Sequence, residues 1–108
     1  MSLTSLTYQI LLALADEPRH GYGIIKEIEL RAGASAAPST GALYLAVQRM
    51  ETEGLLEDAP RPRGETDPRR RYYRLTHAGR AAAREESARM AELVASAREK
   101  NLLPEGSR

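Results

Sequence analysis

A mainly α-helical chain with one small antiparallel hairpin is the fold class predicted by these 108 residues. Three observations predict it. Apolar residues recur at intervals of three and four in several separate stretches, as helices with one buried face require. Late in the chain, Leu55-Leu56-Glu57-Asp58 and Arg71-Tyr72-Tyr73-Arg74-Leu75 have strand composition, and the segment between them holds three prolines and one glycine. A chain of this length builds one modest core, or shares a larger one with a partner.

Leu3, Leu6, Ile10, Leu11 and Leu14 form the stripe of a first helix over residues 3–15, which Asp16-Glu17-Pro18 ends. Ile24, Ile25, Ile28 and Leu30 pattern a second, from Gly21 to Ala32, with Gly33 placed to close it in a left-handed cap. His20-Gly21-Tyr22-Gly23 is glycine-rich for a helix start, and close approach of the backbone to another helix or to a phosphate would explain it. Ser39 after Pro38 is a good N-cap for a third helix running to Glu53, with Gly54 to end it. Leu43, Ala46, Val47 and Met50 fall on its inner face, leaving Thr40, Gly41, Tyr44, Gln48 and Arg49 for others. The segment 59–70 is expected to be an irregular, mobile hairpin tip. Thr76 caps a last helix to about Lys100, whose second half places Met90, Leu93, Val94 and Ala97 in one stripe. That stripe needs a surface to cover, which the first helix or another subunit could supply.

Charge is unevenly divided, although the net value is only +1. Residues 1–59 hold four Lys/Arg against eight Asp/Glu, whereas residues 60–74 hold six Arg (61, 63, 69, 70, 71 and 74) against Glu65 and Asp67. A polyanion should meet that short loop first. With no Cys, Trp or Phe, the chain has no disulfide framework or thiolate metal site, and its core must be built from Leu, Ile, Val and a few Tyr. No cofactor or metal is expected. His20 and His77 stand in different segments without metal-ligand spacing, and there is neither a G-x-S-x-G elbow nor a phosphate-binding glycine loop. Glu85-Glu86 reads as a solvated helix face among arginines. An enzyme is not expected. Without a leader pattern or an apolar run of membrane-spanning length, the reading is a soluble cytoplasmic chain with no membrane partner.

A short helix with a small, polar first turn beside an arginine-rich hairpin is how a winged helix presents itself to double-stranded DNA. On this reading Thr40, Gly41, Tyr44 and Gln48 face a major groove, while Ser39 and nearby backbone N–H groups meet phosphate. Arg69, Arg70 and Arg71 supply cationic grip. Each feature also has an ordinary use: a core helix, a solvated basic turn, or, for His20 and Tyr22, helix capping and packing. In a strand, Arg71 and Tyr73 share one face and Tyr72 and Arg74 the other, so not all of them can touch one ligand.

His20-Gly21-Tyr22-Gly23-Ile24, Thr40-Gly41-Ala42-Leu43-Tyr44, Arg49-Met50-Glu51-x-Glu53-Gly54-Leu55 and Arg71-Tyr72-Tyr73-Arg74-Leu75-Thr76-x-x-Gly79 together resemble the PadR family of bacterial transcriptional regulators. The resemblance runs from residue 3 to about residue 100. It implies a winged helix-turn-helix DNA-binding unit over residues 1–75, and a C-terminal dimerisation helix and tail over 76–108. It further implies repression of nearby genes by a homodimer, similar to the short branch of the family with one helix after the wing. Tyr22, Ser39, Thr40, Gly41, Tyr44 and Arg49 match the family's DNA-facing helices, and Arg69, Arg70 and Arg71 its wing. Leu6, Ile10, Met90, Leu93, Val94 and Ala97 are the candidate dimer and effector positions, the effector being a small hydrophobic molecule. The rival reading keeps the fold but makes it a protein-interaction or small-molecule-sensing module without direct DNA contact, because the acidic body would repel DNA unless the wings overcame it.

Overall fold

Each α-helix among the described residues opens on a side chain that satisfies one of its first backbone donors, and these caps set the element boundaries. The computed structural model describes residues 3–104; residues 1–2 of the expected first unit and 105–108 of the expected tail lie outside the described residues. Thr4 caps α1 (Ser5–Ala13), His20 caps α2 (Gly21–Ala32), Ser39 caps α3 (Thr40–Thr52) and Thr76 caps α4 (His77–Glu99). Thr4 Oγ1, His20 Nδ1 and Ser39 Oγ each accept an N–H at 3.1 Å, and Thr76 Oγ1 accepts one at 3.0 Å. A 3-10 turn over Ala34–Ala36 joins α2 to α3.

Two C-termini close in the same way. Gly54, at φ +79°, lets its own N–H reach the Glu51 carbonyl at 3.0 Å and the Leu55 N–H reach that of Met50 at 2.9 Å. Asn101, at φ +62°, repeats the pattern with Arg98 and Ala97. Both are paired-bond caps in which a residue of left-handed φ turns the chain back over the last carbonyls. Gly33 differs from the expected left-handed cap: φ is +92° but ψ is 159°, so the chain leaves α2 extended.

The hairpin gains a third strand. β2 (Leu56–Ala59) and β3 (Tyr72–Leu75) pair antiparallel with Glu57 opposite Arg74 and Ala59 opposite Tyr72; β2 lies one residue later than expected, and β3 starts one residue later but ends at Leu75 as expected. A two-residue β1 (Arg19–His20) pairs with the other edge of β3, giving the order β1-β3-β2. A two-residue strand has no alternation to betray it. Register places Tyr73 on the face toward the core and Tyr72 on the opposite face, yet both are buried. Tyr72 is covered from outside, by the His20 ring at 5.2 Å edge-on and by Glu65 of the wing.

Ile10, Leu11, Ile24, Ile28, Leu43, Val47 and Met50 are the large, fully buried side chains, and Leu56 and Tyr73 roof them. Three expectations are corrected here. Ile10 is 0 % exposed, so it belongs to this core and cannot offer itself to a second subunit or effector. Leu30 is 83 % exposed, because α2 buries only the narrow face of Gly21, Ile24 and Ile28. Glu86 is not on a solvated face: α4 packs along α1, burying it against Arg89, whose hydrogen bond holds the carboxyl below its ordinary pKa. The Tyr8 and Ser87 hydroxyls, 2.6 Å apart, pin the same contact.

The start of α4 rests on the end of α3. The Leu55 carbonyl accepts from the Thr76 N–H at 3.0 Å, and the Thr76 hydroxyl donates to the Gly54 carbonyl at 2.5 Å. Gly79 is pressed so close to the Leu55 carbonyl that a Cβ would collide with backbone. Gly41 faces open space. Gly79→Ala should therefore destabilise the protein by about 2 kcal/mol despite alanine's better helix propensity. Gly41→Ala should be neutral or stabilising by up to ~1 kcal/mol. Urea unfolding midpoints of the two variants check the contrast.

Candidate nucleic-acid interface

With Leu43, Ala46, Val47 and Met50 turned inward, the helical repeat turns Gly41, Leu45, Gln48 and Thr52 directly outward, and all four are exposed. Thr40 stands exposed at the first position of α3. The Ser39 hydroxyl oxygen is occupied as the cap, accepting from the Ala42 N–H. Tyr44 lies to the wing side, 44 % exposed, with its ring over Gly21 of α2 where a Cβ would meet it. This contact accounts for the first glycine of the α2 start. Tyr22, 57 % exposed, stacks parallel to the His20 ring at 6.4 Å and lies 5.4 Å from Lys26 Nζ.

Tyr44, Gln48 and Arg71 come together. With Val47, Glu51 and Tyr73 they line a groove of about 280 Å³ between α3 and the base of the hairpin. Arg71 sits over the Tyr73 ring at 5.2 Å, donating to Glu51 at 2.8 Å and to Asp58 at 2.6 Å. Across the hairpin, a cleft of about 320 Å³ is lined by Arg61, Arg69, Arg70 and Arg71. Arg49 is drawn elsewhere. Its guanidinium donates to Thr7 Oγ1 at 2.9 Å, tying α3 to α1 and turning the head away from the groove side.

The expected mobile tip is a turn held by its own carboxylates. Glu65 accepts from the Tyr72 hydroxyl at 2.5 Å, from Arg70 at 3.1 Å and from the Asp67 N–H at 3.0 Å. Asp67 in turn accepts from the Arg69 backbone at 2.9 Å and from its side chain at 3.3 Å. The Tyr72 hydrogen bond, then that of the Asp67 backbone, holds the Glu65 carboxyl down at about 2. Hydrogen bonds to an ionised carboxylate favour the charged form. His20 is also shifted down, by burial first and then by the Arg70 charge. Its Nδ1 must stay unprotonated to accept from Gly23, so the cap is complete above the ordinary histidine range and is lost as pH falls through the lowered value.

Three surface residues carry no signal in the sequence that would mark them. Leu45, 69 % exposed on α3, lies off the core stripe and so had no assigned use. Lys26 and Arg61 count there as charge but not as site residues, because only the folded chain sets them beside Tyr22 and in the arginine cleft. Among the described residues, no group of three or more His, Asp or Glu is placed to hold a metal ion, and no helix is long and apolar enough to cross a membrane.

Three helices, the last with a free outer face, followed by a sheet whose loop is lined with arginine, define a winged helix-turn-helix. The chain belongs to the PadR-like family of transcriptional regulators, whose family model matches residues 10–85. It is similar to the transcriptional regulator Rv3488 of Mycobacterium tuberculosis, 40 % identical over 79 % of this chain and 75 % of that one. It is also 42 % identical, over 78 % of its length, to an uncharacterized 37.1 kDa protein in transposon TN4556 of Streptomyces fradiae, of which the match spans only 22 %. Among solved structures, a PadR family transcription regulator of Clostridium difficile superposes with a TM-score of 0.76 at 23 % identity, covering 89 % of this chain and 97 % of that one. Bacillus subtilis PadR, in complex with operator DNA, gives 0.65 at 22 % identity over 76 % of this chain and 46 % of that one.

If the Tyr72 hydroxyl sets the Glu65 pKa, Tyr72→Phe should raise it from about 2 toward the ordinary 4.5. Because the folded carboxyl is the stronger acid, the wild-type contribution to stability is present above pH 4.5 and is lost as pH falls through about 2. In the variant that loss moves to higher pH. A carbon-detected NMR titration of Glu65 reads it, and an unmoved midpoint would discard the assignment.

Proposed function

We propose that this chain is a repressor that binds an inverted-repeat operator as a homodimer in the cytoplasm. The observation that carries the reading is the groove shared by Tyr44, Gln48 and Arg71, with the arginine cleft of the hairpin beside it. Thr40, Gly41, Tyr44 and Gln48 would enter the major groove, with Ser39 at the helix start close to phosphate. Arg69, Arg70 and Arg71 would grip the backbone. The side chains of Arg69, Arg70 and Arg71 are 89 %, 45 % and 56 % exposed, so phosphate can reach them; the exposed Arg71–Asp58 pair is worth only about 0–1 kcal/mol, and phosphate accepts guanidinium hydrogen bonds at least as well. Tyr22 and Lys26 on the outer side of α2 would flank the same strand. Operator DNA in the Bacillus subtilis PadR complex supports the assignment at the level of the shared fold.

Dimerisation is proposed through α4. Leu93 and Val94 are 56 % and 38 % exposed on it, with Met90 and Ala97 half-buried in the same stripe and Leu6 half-buried on α1. A helix of 23 residues is about 35 Å long, and only its first half rests on α1 and the core. Pairing two such helices would set two α3 helices roughly 34 Å apart, the spacing of successive major grooves. A small hydrophobic effector lodged between α1 and α4 near Met90 and Leu93 would alter that spacing and release the operator.

Gel-shift titration of the upstream promoter region should show affinity falling steeply between about 50 and 200 mM salt. The Arg69/Arg70/Arg71→Ala variant should flatten the dependence of log K on log salt by about 0.9 for each phosphate it leaves unneutralised. Undiminished binding by that variant would remove the wing from the interface, and no binding by the wild type would favour a module without DNA contact. Separately, Leu93→Asp with Val94→Asp should elute as a monomer in size-exclusion chromatography with light scattering; a dimer would rule out α4 as the interface.

A further inference from the structure

Leu45 is an apolar side chain held 69 % exposed in the middle of the outward face of α3, between Gly41 one turn before it and Gln48 one turn after. Its neighbours explain why it could not have found cover within the protomer. The inner stripe of Leu43, Ala46, Val47 and Met50 is already filled, and Leu45 lies on the far side of the helix from it. Side chains on a helix lean toward its N-terminus, so Leu45 spreads over the turn that begins at Gly41. Beyond Gly41's chain neighbours and the helix's own backbone, no atom stands within 4 Å of where a Cβ would be, so packing does not demand glycine there. What the glycine does is remove bulk from the surface beside the leucine. The outward face thus offers one apolar knob, a bare approach and one amide, with no charge on the four outward positions Gly41, Leu45, Gln48 and Thr52.

In a major groove, the apolar group a base edge presents is the 5-methyl of thymine, and the edge a glutamine amide matches best is that of adenine. We propose that Leu45 is a specificity-determining residue that packs on a thymine methyl in each half-site, next to an adenine read by Gln48. This rests on the proposed placement of α3 in the major groove. Gly41 lets the helix start come close enough for the contact, and the preference is for a half-site containing an A·T step at that position. Because the contact is apolar, it discriminates without adding to the salt dependence that the arginines create.

Uracil differs from thymine only by that methyl, which makes it the probe. Duplexes are enriched from a random library by the wild-type protein, and the selected duplex is remade with each thymine in turn replaced by uracil. For the wild type, one position per half-site should weaken binding about four-fold, and about sixteen-fold when both half-sites are changed. Leu45→Ala, which alters an exposed residue and should keep the wild-type melting curve, should bind the thymine and uracil duplexes equally. Leu45→Met should retain part of the preference. If the wild type binds the selected duplex but ignores every thymine-to-uracil change, or if Leu45→Ala keeps the wild-type preference, the inference is overturned while DNA binding stands. If no duplex is enriched, both fail.

Discussion

The carbonyl of Leu55 is where the protein's parts are fastened together. It follows the glycine cap that ends α3, precedes β2, accepts the Thr76 N–H and lies against Gly79 in the first turn of α4. Thr76 strengthens the joint by donating its hydroxyl to Gly54 while accepting from Gly79. The helix α3, the hairpin and α4 therefore leave one point with fixed directions. A side chain at Gly79, or loss of the positive φ at Gly54, would disturb all three at once. The orientation of α4 relative to α3, on which any two-fold arrangement of α3 helices depends, rests on one backbone hydrogen bond, one threonine hydroxyl and one missing Cβ at this joint, together with the packing of α4 on α1.

The hairpin answers a different problem, that of concentrating cations on a chain whose first half is acidic. Its arginines are held apart from one another by Glu65, Asp67, Asp58 and Glu51, each pairing with one or two guanidinium groups. Self-repulsion is thereby reduced in the free protein, while the arginine side chains stay about half-exposed or more and open to phosphate. Tyr72 links this arrangement to the rest of the fold, with its hydroxyl on Glu65 and its ring against His20, the cap of α2. The position of the wing and the start of α2 are thus coupled through a tyrosine and a histidine.

The helices, the hairpin and, on the outward face of α3, Gly41 and Gln48 were legible because periodicity and capping residues are local signals; Leu45 and Thr52 on that face were not. Ser39, Thr76 and Gly54 act where their chemistry placed them. What escaped was decided by contacts distant in sequence. β1 exists only because β3 offers an edge to two residues with no strand pattern of their own. Ile10 shares its stripe with Leu6, and only the packing of α2 and α3 around it shows that it is sealed in. Arg49 lies beside the groove-facing residues in sequence, but Thr7, forty-two positions earlier, takes its guanidinium. Glu86 resembles its neighbour Glu85 until α1 covers it.

The order β1-β3-β2 also bears on how the protein avoids sticking to copies of itself. The aromatic strand, with Tyr72 and Tyr73, is paired on both sides, which leaves only β1 and β2 as open edges. One is two residues long and carries Arg19; the other is four long and carries Glu57 and Asp58. Short, charged edges are poor templates for an incoming strand. Arg19 and His20, which look incidental in the sequence, thus cap the side of the sheet along which its most adhesive strand would otherwise recruit a neighbour.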